Sequence, residues 1–89
     1  MPSMVITKQA VADKIGAYLH HAITLAALVD WAEHNIMEGQ LDERDTLVLS
    51  KVLARLGLAD VRAFGLTWED CESLLKELGY SARVNIVAA

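Results

Sequence analysis

A second cysteine is missing from this chain of 89 residues. Cys71 stands alone, so no intrachain disulfide can form, and a reducing compartment suits it best. Nor is there an apolar run close to the roughly 20 residues that span a bilayer. The stretch from Ala22 to Val29 is short and interrupted by Thr24, so no transmembrane segment and no membrane partner are expected. The opening residues MPSMVITKQ lack a basic region followed by an apolar run and a small-residue cleavage site, which predicts no secretory signal and a cytoplasmic location. Bases are few. Eight Lys and Arg stand against twelve Asp and Glu, a net charge of −4, so no nucleic-acid partner is expected, because gripping phosphates draws on clustered cations. A basic partner stays open, although mild acidity is also the ordinary condition of a soluble domain.

Catalytic signatures are absent as well. There is no HExxH, no paired cysteines, no G-x-S-x-G and no phosphate-cradling glycine loop, while Asp42, Glu43 and Asp45 lack the central Gly and closing Glu of an EF-hand. The expectation is no enzyme, no metal and no cofactor.

Apolar residues, by contrast, are plentiful. They make up 54% of the chain at a mean hydropathy of +0.30, high for a domain small enough to bury only about 60 to 68% of its unfolded surface. One domain over residues 1–89 is expected, with apolar surface left over for a homo-oligomer or a protein partner.

The stretch TLAALVDWAEHNIMEG, Thr24 to Gly39, predicts one complete helix. Thr24 suits an N-cap, Ile23 can pack on Leu28 as a staple, and Gly39 sits where a left-handed C-terminal residue belongs. Leu25, Leu28, Val29, Ala32 and Ile36 form its apolar stripe, with Asp30, His34 and Glu38 opposite. Trp31 lies between the faces, where its ring must meet another helix or another chain rather than the main core.

Before it, Thr7 caps a first helix from about Lys8 to His21, with Val11, Ile15, Tyr18, Leu19 and Ala22 as its stripe. Ala12 and Gly16 have the A-x-x-x-G spacing of helix-turn-helix units, in which the Gly makes the turn. The next helix carries Asp30 and Glu33 but no Lys or Arg, so it would repel DNA phosphates, and an ordinary helix hairpin is the better reading. Gly16 signals close helix packing or mere tolerance.

Asp42 caps a third helix running to about Leu56. Val48, Leu49, Val52, Leu53 and Leu56 face inward, and Gly57 closes the helix with Leu58 folded back on Leu53. Leu47 lies off this stripe and, with Trp31, is a candidate intermolecular contact. Beyond a connector in which Phe64 plugs the core and Gly65 permits a bend, Thr67 and Asp70 cap a fourth helix, Trp68 to Leu78, ended by Gly79. In the tail, Val84 and Ile86 alternate with their neighbours and predict a strand pairing with Met4 to Ile6, within the chain or between chains.

The polar residues read plainly. Asp30, His34 and Glu38 lie in a line along one helix and do not converge on a metal, so they form a solvated face. His20 and His21 suit a helix C-terminus. Cys71 falls near a helix N-terminus, which would favour a thiolate, yet it lies in the middle of the inward stripe and reads as a buried small hydrophobe.

The run ITLAALVDWAEHNIMEG, then LARLGLADVRAFGLTWEDCESLL, then LGY before a short apolar tail resembles a group of small bacterial all-helical proteins of unassigned role, with some likeness to bacteriocin-type immunity proteins. The resemblance implies a non-catalytic protein that binds and masks a toxin through an acidic helical face. The whole reading is an all-α, compact, four-helix bundle-like domain with a possible two-stranded ribbon formed by the termini. Its expected role is protein binding through Asp30, Trp31, Glu33, Glu38 and Leu47. The alternative is a structural homo-oligomer with no toxin partner.

Overall fold

In a computed structural model, residues 5–61 and 65–81 are described. In chain order the elements are strand β1 (Val5–Ile6), helix α1 (Lys8–Leu19), helix α2 (Leu25–Glu38), strand β2 (Gln40–Leu41), a 3-10 turn (Glu43–Asp45), helix α3 (Thr46–Gly57) and helix α4 (Trp68–Glu77). Among the described residues, four α-helices and a small parallel sheet thus enclose a hydrophobic core.

Threonine starts three of the helices, and it does so through the same bond. The hydroxyls of Thr7, Thr24 and Thr67 accept from the backbone N–H groups of Ala10, Ala27 and Asp70, each at 3.1 Å. At α4 the Asp70 carboxylate returns the favour by accepting from the Thr67 N–H at 2.9 Å, completing a capping box. The third start differs from expectation. Asp42 caps the 3-10 turn by accepting from the Arg44 N–H at 3.0 Å, and α3 begins only at Thr46.

The helix ends correct the reading of the glycines. A pair of bonds from the two residues beyond the cap to the last turn closes α4, with Gly79 at φ 90°. The same pair closes α1, but there the left-handed residue is His21 at φ 62°, so α1 stops at Leu19 rather than His21. Gly57 does not end α3 in this way. It is the last helical residue, followed by Leu58 in right-handed conformation and 41% exposed rather than folded back into the core. Gly39 is extended, at φ −73°, not left-handed. It is needed for space: a Cβ there would lie 2.5 Å from the Asn35 carbonyl oxygen and 2.8 Å from its side-chain Oδ1.

That close passage shifts the buried face of α2. Leu28, Val29 and Ala32 are buried as expected, but in the last turn Asn35 is only 8% exposed while Ile36 is 45% exposed. The chain crossing Asn35 at Gly39 covers it, and its Nδ2 donates to the Trp31 carbonyl at 2.8 Å. Ile36 faces Gly57, which has no side chain to cover it.

Among the described residues, the strand at Val5–Ile6 has a pairing that the sequence did not announce. β1 runs parallel to β2, Val5 opposite Gln40 and Ile6 opposite Leu41, and the Asp42 N–H donates to the Ile6 carbonyl at 3.0 Å. Val5–Ile6 therefore pairs with the link between α2 and α3. The expected strand at Val84 and Ile86, and the plug at Phe64, lie outside the described residues.

The core takes Ile6 from β1, Val11 and Ile15 from α1, Leu28 and Ala32 from α2, four residues of α3 (Leu49, Val52, Leu53, Leu56), and Cys71, Leu74, Leu75 and Leu78 from and beyond α4. Each large aliphatic side chain fully buried this way is worth roughly 1.5–3 kcal/mol, so α3, with four of them, anchors the domain. α2 packs most extensively on α3. Gly16 lies inside α1, with the turn at residues 20–24, so the helix-turn-helix spacing has no turn to mark. A Cβ at Gly16 would meet nothing within 4 Å, so close packing does not explain it. No helix among the described residues is long and apolar enough to cross a membrane.

Candidate protein-binding face

Because α2 repeats every 3.6 residues, Asp30, His34 and Met37 share the centre of its outward face, with Glu33 at one rim and Glu38 at the other. All five are exposed. Glu33 leans toward α3, where its Cγ lies 3.5 Å from where a Gly57 Cβ would stand. Glu38 leans the other way and pairs with His34, Nδ1 to Oε2 at 3.7 Å. Both partners are largely exposed, and such a pair contributes about 0–1 kcal/mol. Asp30 and Glu33 make no ion pair among the described residues, and α2 has no Lys or Arg of its own. Here two carboxylates remain in water with their charge unspent.

Met37 is the residue that sequence reasoning missed. It stands 83% exposed in the middle of the acidic stripe, seven residues after Asp30, and that spacing was the signal. A flexible thioether there gives the charged face an apolar anchor.

Trp31 finds its second surface within the chain. It is partly buried against the core, and the Lys14 ammonium of α1 lies 5.6 Å from its ring centroid, a contact worth about 0.5–1 kcal/mol at an exposed site. Its other edge borders a cleft of about 560 Å³ with Ile6, His34, Asn35, Glu38 and Gln40. Trp31 and Glu38 therefore meet at this cleft, flanking the acidic face. Leu47 does not join them. It projects from the first turn of α3, 89% exposed, beside a separate hollow formed by Glu43 to Val48.

Cys71 is fully buried, and burial, with the nearby Asp70 charge, pushes its thiol up to about 11. At neutral pH the sulfur holds its proton and behaves as a small hydrophobe. The Asp70 carboxyl is held below the usual carboxylate range by the Thr67 N–H bond, helped by the Thr67 hydroxyl and the Arg55 charge. Among the described residues no three His, Cys, Asp or Glu side chains are grouped to hold a metal. No family model, no curated protein and no solved structure matches this chain.

Proposed function

We propose that the chain is a non-catalytic protein-binding module, a bundle-like cytoplasmic domain that takes a basic partner on the outward face of α2. The single observation carrying this reading is the pair of uncompensated carboxylates, Asp30 and Glu33, set around the exposed Met37. Charges left unpaired on one helix face raise the local negative potential, which speeds the approach of a basic surface and disfavours an acidic one. Met37 supplies the apolar contact that holds the partner once it has arrived. Masking of a basic toxin, as the immunity-protein resemblance implies, is the most specific form of this role. Replacing Asp30, Glu33 and Glu38 with Lys tests it: loss of partner binding with the fold intact supports the proposal, and unchanged binding ends it. A homo-oligomer without a further partner is the second reading, favoured by Leu47, which projects from α3 outside the acidic face.

A further inference from the structure

Leu47, Lys51 and Ala54 on α3, with Leu58 and Val61 in the turn beyond it, follow alternating steps of four and three residues, the spacing that keeps one side of a helix turned toward a second helix. All five are exposed. Alongside them runs a hollow of about 440 Å³ between α3 and α4, floored by Ala54, Leu58 and Leu74. Its charged rim is already neutralised: Lys51 Nζ lies 2.6 Å from Glu77, and the Arg55 guanidinium 3.1 Å from Asp70. An apolar guest suits such a site, since a charged one would find every nearby charge occupied.

We propose that this face is a two-fold interface between two copies of the chain, with Leu47 of each copy seated in the α3–α4 hollow of the other. Leu47, the knob, and Ala54, the α3 wall of the hollow, lie seven residues apart on the same helix, about 10 Å along its axis, with Leu58 just past the helix end. Two α3 helices crossing antiparallel, with the axis near Lys51, therefore set each knob over the other's hole, and the contact closes at two copies. Lys51 sits at the axis with its charge met by Glu77 of its own chain, and its methylene stem adds to the apolar contact. Ala54 is small enough to let the helices approach. Charge selects this side for a second copy. On the α2 face Asp30 and Glu33 would oppose themselves, whereas the α3–α4 rim carries balanced pairs. The footprint, about 17 Å of helix across two helix widths of about 10 Å each, is near 340 Å² per copy, less than the roughly 800 Å² of a standard stable interface. The dimer is accordingly weak and concentration-dependent, and it leaves the α2 face free.

Sedimentation velocity of the full chain, from about 5 µM to about 500 µM, tests this, a range that brackets the affinities of small interfaces. The expected result is a monomer–dimer equilibrium that Leu47→Glu weakens at least tenfold, that Ala54→Glu weakens from the side of the hole, and that Asp30→Lys leaves in place. Leu47 is 89% exposed, so its variant keeps the fold, which circular dichroism verifies. A monomer at every concentration, a dimer indifferent to Leu47→Glu, or a dimer weakened equally by Asp30→Lys overturns the proposal. The first of these outcomes assigns the hollow to a different occupant.

Discussion

Two glycines in this chain should respond to the same substitution with opposite signs. At Gly39, an added methyl would lie 2.5 Å from the Asn35 carbonyl oxygen, 2.8 Å from Asn35 Oδ1 and 2.9 Å from Asn35 Cα. Two of those atoms belong to the backbone of α2 and cannot swing aside. Relief requires the chain to lift off Asn35, which disturbs the adjoining β2 pairing with β1. Overpacking against backbone costs typically 1–3 kcal/mol, so Gly39→Ala should destabilise by about 2 kcal/mol, lowering Tm by roughly 8–16 °C in a domain of this size. At Gly16 the added methyl meets nothing within 4 Å, and the position lies inside α1. Gly16→Ala should therefore stabilise by about 0.5–1 kcal/mol, through better helix propensity and a less flexible unfolded chain, raising Tm by roughly 2–8 °C. Thermal unfolding followed by circular dichroism at 222 nm, the helix band, reads both changes in the same buffer. If Gly39→Ala melted with the wild type, the close passage over Asn35 would be wrong. Destabilisation by Gly16→Ala would mean a hidden packing partner at α1.

Three more outcomes follow from the caps and the core. His21 holds a left-handed conformation that costs a non-glycine residue on the order of 1–2 kcal/mol, so His21→Gly should raise stability by about 1 kcal/mol in urea unfolding; a loss would show that the imidazole itself contributes. The folded-state pKa of Asp70 is depressed, so its contribution is present above the ordinary carboxylate pKa and lost as pH falls through the folded value. Asp70→Asn should therefore be less stable than the wild type at pH 7, and the urea midpoints of the two should converge as the pH falls below the ordinary carboxylate range and through the folded-state value; a gap that persists once Asp70 is protonated in the folded state would refute the capping role. Cys71, with its thiol pushed up to about 11 and fully buried, should resist a thiol reagent at pH 8 and react once urea unfolds the chain. Rapid labelling of the native protein would contradict its burial.

What could be read from the sequence was local chemistry. Thr7, Thr24 and Thr67 start helices because a hydroxyl three residues before an amide reaches it whatever else the chain does. The inward stripes of α3 and α4 were legible for a similar reason, since Leu49, Val52, Leu53 and Leu56, or Cys71, Leu74 and Leu75, repeat at helical spacing. Relations across distance were not legible. Val5 and Ile6 pair with the two-residue strand Gln40–Leu41, too short for an alternation to announce it. The Lys51–Glu77 and Arg55–Asp70 pairs join residues 26 and 15 positions apart, and they exist only because α3 packs beside α4. Gly39 was recognised as special, but the reason lay in Asn35 beneath it rather than in its own backbone angles. At the acidic face, Asp30, Glu33 and Glu38 were visible as charges, whereas Met37, legible only through its seven-residue spacing from Asp30, stood out once its exposure was known.

The central claim is that the outward face of α2 binds a basic partner by charge. Its most direct test is capture from the native cell on two immobilised forms side by side, the wild type and Asp30→Lys/Glu33→Lys/Glu38→Lys, each washed at low and at high salt. The account predicts a basic protein that the wild type retains at low salt and releases at high salt, because exposed charges are screened within about 10 Å at 0.1 M, and that the reversed form never retains. A partner held equally by both forms, or indifferent to salt, would contradict it.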